Sequence, residues 1–215
     1  MTGEQLLALL AGLGGAAFGL FADRLAVRWP EHEEGVVPRG LDWRTGLVML
    51  AGGAISAALV LRWEDPRDLL LLYVYCAALI VLLATDLDQK LLPDLITLPL
   101  IVFAAVALLA GWSPLLADKS EALLSGLLAG IGAPAFLAVT DFVLRGALGF
   151  GDLKLAASLG LLSGVTKLFS GLLASTVLIS VVLIALIVAR RLGRRSAIPF
   201  GPILVLAAFI AALLP

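Results

Sequence analysis

The chain has 215 residues, of which 61% are apolar and only 14% charged, and its mean hydropathy is +1.10. That balance lies outside the range of soluble domains and marks an integral membrane protein. A net charge of −1 without blocks of like charge gives no sign of nucleic-acid binding, so partners are sought in or at the lipid bilayer.

A helix needs roughly 20 mostly apolar residues to cross the hydrocarbon core. Eight stretches are candidates, at about 4–22, 45–62, 68–85, 95–112, 121–143, 153–165, 168–189 and 199–214, the sixth too short to cross comfortably alone. The expected fold is therefore all-α, a polytopic membrane bundle of about eight transmembrane helices, read as a single domain over residues 1–215. The first stretch lacks a basic start and a small-residue cleavage site and is followed by further spans, so it reads as a retained helix rather than a removed signal peptide. Residues 23–44 form the longest polar connection and are too short for a domain. Cys76 lies in the third stretch and His32 in that connection; one of each cannot assemble a thiolate or imidazole metal site, and a lone cysteine in an apolar run is a small core residue. The sixth stretch is short, and Gly160 and Gly164 interrupt it. Gly15 with Gly19, and Gly126 with Gly130, have the spacing that lets membrane helices approach closely.

Orientation follows from the lysines and arginines of the short loops. With the N-terminus outside, the inner loops hold Arg24, Arg28, Arg39, Arg44, Lys90, Arg145, Lys154, Arg190, Arg191, Arg194 and Arg195, which is 11 of the 15 basic residues. Arg62, Arg67, Lys119 and Lys167 remain outside.

The stretch ATDLDQKLLPDLITLP, residues 84–99, places Asp86, Asp88 and Asp94 directly after a long apolar run. Between Asp68 and Asp86 lie 17 uncharged residues, so Asp86 stands where the third helix leaves hydrocarbon. An ionisable residue at such depth is a functional candidate, because partial desolvation makes its charged form expensive. Asp88 and Asp94 lie farther along, where Pro93 interrupts helix, and are expected to be wet. A second cluster is GALGFGDLKLAASLG, residues 146–160, in which Gly149 and Gly151 precede Asp152. Glycine there permits unusual backbone angles and close approach of another segment. Two helices separate Asp86 from Asp152, and an even number of crossings returns the chain to the same side. Carboxylates paired on one face cannot both ionise easily, and one can hold a proton while the other acts as base. The plainer reading of an aspartate at a helix end is a cap or a solvated loop residue, and Asp65, Asp118 and Asp141 are placed in that class.

In their order, DLDQKLLPDLITLP, GFGDLKL and IPFGPIL (198–204) resemble the type IV prepilin peptidases, intramembrane aspartic proteases of the GxGD class. The resemblance covers about residues 45–210. It implies that Asp86, six positions before Leu92, Pro93 and Asp94, is the first catalytic aspartate, and that Asp152 is the second. Pro93 and Asp94 would shape the loop that positions Asp86, with Gly149 and Gly151 framing Asp152. Lys154 matches a family lysine that would tune local charge or hold a loop; equally, it is an interfacial lysine reaching for water. IPFGPIL resembles the family's final return into the membrane, a structural element in which Pro199 and Pro202 break helix.

The implied activity is removal of the leader from type IV prepilin or pseudopilin precursors, a basic leader ahead of an apolar helix, at the cytoplasmic face of a prokaryotic plasma (inner) membrane. Neither metal nor organic cofactor is called for. Many bifunctional family members carry two CxxC pairs that bind zinc between the first and second helices, associated with methylation of the new N-terminus. Here only the 22 residues 23–44 stand in that place, without those cysteines, so zinc lacks its ligands and methylation is not expected. The alternatives are a transporter whose carboxylates bind protons or a cation, and an inactive homologue serving assembly. The transporter reading accounts for the acids but not for their position at one edge.

Overall fold

The computed structural model describes residues 3–30, 39–116, 119–144, 148–189 and 200–214. Among them are seven helices and no strand: α1 (Gly3–Ala26), α2 (Trp43–Arg62), α3 (Pro66–Gln89), α4 (Asp94–Leu109), α5 (Lys119–Leu144), α6 (Phe150–Val188) and α7 (Gly201–Leu213). Five of them, α1, α2, α3, α5 and α6, are long and apolar enough to cross a membrane, while α4 and α7 are shorter. The protein is a polytopic helical membrane bundle.

The sixth and seventh expected stretches run together as α6, but the helix breaks at Gly164, whose φ of 68° and ψ of 179° lie outside the helical region. A β-carbon there would stand 2.5 Å from Leu116 Cδ2 and 2.7 Å from Ser125 Oγ, so glycine is required for both angle and space. A break in a helix frees backbone groups that need other partners. Two serines supply them: the Val165 N–H donates to Ser125 Oγ at 3.0 Å, and Ser113 Oγ donates to the Leu162 carbonyl at 2.5 Å.

Helix α3 runs through the middle, buried from Leu79 to Asp86, with α1, α2, α4 and α7 against it. Close packing is made by small residues: a β-carbon on Gly15 would lie 2.2 Å from the Gly52 carbonyl of α2, and one on Gly160 would lie 2.4 Å from the Ala129 carbonyl of α5. Apolar side chains such as Leu13, Phe142 and Val181 face outward, as a lipid-facing surface requires.

The two ends of the bundle are distinct. At one, Trp63 Nε1 donates to the Ala212 carbonyl at 2.9 Å, Lys167 Nζ donates to the Leu214 carbonyl at 3.3 Å, and Arg67 lies 4.5 Å over the Trp112 ring. The opposite end gathers Asp23, Arg39, Asp86, Asp152 and the first turn of α7, and it holds the candidate site. Pro202 lies in the first turn of α7 and starts that helix, so the expected break falls before it and not at it. Pro199 lies outside the described residues, as do His32, Asp118, Arg145, Arg190, Arg191, Arg194 and Arg195.

Candidate active site

Asp86 sits one turn before the end of α3, where Lys90 closes the helix with a left-handed φ of 54° and its N–H donates to the Asp86 carbonyl at 2.9 Å. The Asp86 side chain is buried, and its Oδ2 has no hydrogen-bonding partner. Asp152 is the third residue of α6, so its side chain can fold back on the helix start. Its Oδ2 accepts from the Gly149 N–H at 3.1 Å, while its Oδ1 is buried and likewise lacks a partner. Helices α4 and α5 return the chain to the starting end, and the charges of Asp86 and Asp152 act on one another. Each carboxylate thus holds a buried oxygen without a partner at the same end of the bundle.

Three contacts fix the two aspartates' supports. Pro93 caps α4, its carbonyl accepting from the N–H groups of Ile96 and Thr97, both at 3.0 Å. Gly151 lies against Leu92, where a β-carbon would come within 2.6 Å of Leu92 Cβ. Lys154 Nζ meets Asp94 Oδ1 at 2.5 Å, tying the start of α6 to the start of α4. Lys154 is therefore engaged in an ion pair rather than only reaching for water. Close approach holds at Gly151, but neither glycine of the motif has unusual angles: positive φ occurs only at Gly111 and Gly164 among the described glycines, and Gly149 has φ −85° and ψ 149°. Asp141 accepts from the Leu148 N–H at 2.7 Å and Asp65 from the Arg67 N–H at 2.8 Å, both local backbone roles.

Asp94 is wet, with 62% of its side chain exposed, but Asp88 is not: 9% is exposed, and it pairs with Arg39 and with Arg44 at 3.2 Å. The expectation of a solvated Asp88 fails because the segment before α2 folds over the end of α3. Arg39 also pairs with the buried Asp23, which accepts from Thr45 Oγ1 at 2.8 Å and meets Arg24 at 2.5 Å. Arg39 Nε stands 3.5 Å from Asp42, the N-cap of α2. Slight burial works to raise the Asp42 pKa, but the Thr45 N–H, the Arg39 charge and the Arg44 N–H outweigh it and hold the carboxyl below its usual range. Gln89 Nε2 completes the tie between α3 and α1, donating to the carbonyls of Ala26 at 3.2 Å and Pro30 at 3.1 Å. Sequence reasoning missed this ion cluster. The available signal was Asp23, a carboxylate directly after the first apolar stretch and next to Arg24. Among the described residues no group of three His, Cys, Asp or Glu side chains could hold a metal ion.

The type IV leader peptidase family matches residues 73–189, which is 117 of the 215 residues and includes both buried aspartates. The chain belongs to this family. Among curated members, the prepilin leader peptidase/N-methyltransferase of Aeromonas hydrophila is 34% identical over 167 residues, 78% of this chain and 56% of that protein. The protein of the same description from Pseudomonas putida is 33% identical over 171 residues, 79% of this chain and 58% of its own. That of Bacillus subtilis (strain 168) is 29% identical over 162 residues, 75% of this chain and 62% of its own. The chain therefore spans between 56% and 62% of the length of these leader peptidases. No solved structure matches it. The family match ends before α7, so the contact of α7 with Asp86 stands outside the matched segment.

Proposed function

We propose that this leader peptidase is an intramembrane aspartic endopeptidase that removes the leader from type IV prepilin or pseudopilin precursors at the cytoplasmic face, with Asp86 and Asp152 as its catalytic pair. The observation that carries this reading is the presence of two buried carboxylates from separate helices at one end of the bundle, each with an unpartnered oxygen. Two such groups share a proton readily, since a second negative charge beside the first is costly in an enclosed site. The ionised carboxylate accepts a proton from water as the water oxygen bonds to the scissile carbonyl carbon. The protonated carboxyl donates to the carbonyl oxygen as it becomes tetrahedral. Collapse of that intermediate returns the hydroxyl proton to a carboxylate, breaks the C–N bond and passes a proton to the leaving amine, which restores the pair.

The substrate side follows from the family: a short basic leader, glycine at the cleavage point and an apolar helix lying in the bilayer against the protein. The majority of basic residues in the loops that the sequence assigns to the side of both aspartates supports a cytoplasmic site. The edge position of the carboxylates also favours peptide hydrolysis over transport, which uses sites near the midplane. The enzyme cuts without methylating, because the chain's one cysteine, Cys76, is buried in α3 and the 22 residues 23–44 replace the zinc-binding pairs. The test is co-expression with a candidate prepilin, read as a mobility shift on a gel. Asp86→Asn and Asp152→Asn each abolish the shift while the protein remains inserted; a shift that persists with either variant overturns the assignment.

A further inference from the structure

The first residue of α7 bears directly on Asp86. A β-carbon built on Gly201 would lie 2.7 Å from Asp86 Cγ, 2.7 Å from Oδ2 and 3.1 Å from Oδ1, so the whole carboxylate rests face-on against the glycine Cα. Both residues are buried. The contact sets Oδ2, the oxygen without a hydrogen-bonding partner, at the start of a helix, where the backbone dipole presents its positive end to a carboxylate. Helix α7 is not free to back away. Its far end is held by Trp63 on the Ala212 carbonyl and Lys167 on the Leu214 carbonyl, and its middle lies against Gly171 of α6, where a β-carbon would stand 2.5 Å from the Ala207 carbonyl. Pro202 fixes the first turn. The softest partner in the contact is therefore the Asp86 side chain, with two rotatable bonds.

The geometry points to Gly201 as a positioning residue that seats the Asp86 carboxylate and fixes its direction. The inference rests on the catalytic reading of Asp86 for its effect on rate, but the contact itself does not. One added methyl group at residue 201 leaves the carboxylate no room where it now lies, and it turns out of that position. A displacement of about an ångström in a reacting group costs on the order of 100-fold in rate.

Two measurements test this. In the cleavage assay Gly201→Ala lowers kcat about 100-fold with KM changed less than about threefold, whereas Gly171→Ala, which disturbs the other tight contact of α7, keeps kcat within about threefold of the parent. In the unfolding assay the cost of Gly201→Ala vanishes in an Asp86→Ala background, because the three atoms it would strike are gone. If Gly201→Ala alone fails to fold, recovery of a folded Gly201→Ala/Asp86→Ala double variant supports the contact. A double variant as impaired as the single one overturns the inference, as does a Gly201→Ala enzyme whose kcat equals that of Gly171→Ala. Failure of the unmutated protein to cleave any prepilin would instead refute the proposed function, while the double-variant cycle would still decide the contact.

Discussion

Replacing Arg39 with alanine tests whether the ion cluster holds the end of α3 that carries Asp86. Arg39 is 17% exposed and serves Asp23 and Asp88, which are 1% and 9% exposed. Breaking a buried pair outright costs about 3–5 kcal/mol, because the remaining charge is left without its partner. Here neither carboxylate is abandoned: Asp23 keeps Arg24 at 2.5 Å and Thr45 at 2.8 Å, and Asp88 keeps Arg44 at 3.2 Å. The expected loss is therefore at or just below the lower end, about 2–3 kcal/mol, or roughly a 30- to 150-fold shift in the folding equilibrium. Arg39→Lys recovers only part of it, since a single ammonium cannot reach two carboxylates as a guanidinium fork does. Equilibrium unfolding in mixed micelles of mild detergent and dodecyl sulfate, followed by tryptophan fluorescence, gives the number. A loss under about 0.5 kcal/mol would place the cluster with exposed ion pairs and refute the reasoning.

Asp88→Asn leaves Arg39 and Arg44 facing a neutral amide, so it lowers stability in the same assay yet retains most cleavage activity; loss of cleavage from a folded Asp88→Asn protein, with Asp86→Asn active, would shift the catalytic assignment within the motif. Lys154→Ala removes the bridge to Asp94, and cleavage falls with little change in thermal stability, because the pair is partly exposed at 28% and 62%; an unchanged rate would make the lysine an ordinary interfacial residue. After replacement of Cys76, a cysteine at Lys90 escapes a membrane-impermeant thiol reagent in intact cells while one at Arg67 reacts, and the reverse pattern would invert the topology. Pilin processed by the purified protein with S-adenosylmethionine present retains an unmethylated N-terminus by mass spectrometry; an added methyl mass would show that the zinc-binding pairs are dispensable for methylation.

What the sequence made legible is what depends on neighbours along the chain. Apolar runs located α1 to α5 to within a few residues, and the interrupted stretch around Gly160 and Gly164 is where α6 breaks. The two aspartate motifs could be found because each sits at an abrupt change from apolar to polar. What escaped depends on segments distant in sequence. Asp88 read as wet because nothing local reveals that Arg39, 49 positions earlier, folds onto it. Gly149 read as conformationally special, whereas its backbone is ordinary and its N–H is what matters to Asp152. Gly201 read as part of a helix-breaking string, since only the packed bundle brings it to Asp86.

The stacking of Arg67 over Trp112 supplies a ruler for depth. It sets the beginning of α3 and the residues just after α4 at a common level. Asp86 stands nineteen positions after Arg67 on one continuous helix, a rise of about 28 Å at 1.5 Å per residue, against a hydrocarbon thickness of about 30 Å. The length of α3 is thus a gauge block between an aromatic–cation anchor at one end of the bundle and a carboxylate at the other. Adding a single residue to it would lift Asp86 by about 1.5 Å and swing it by about 100° around the helix, away from both Gly201 and Asp152.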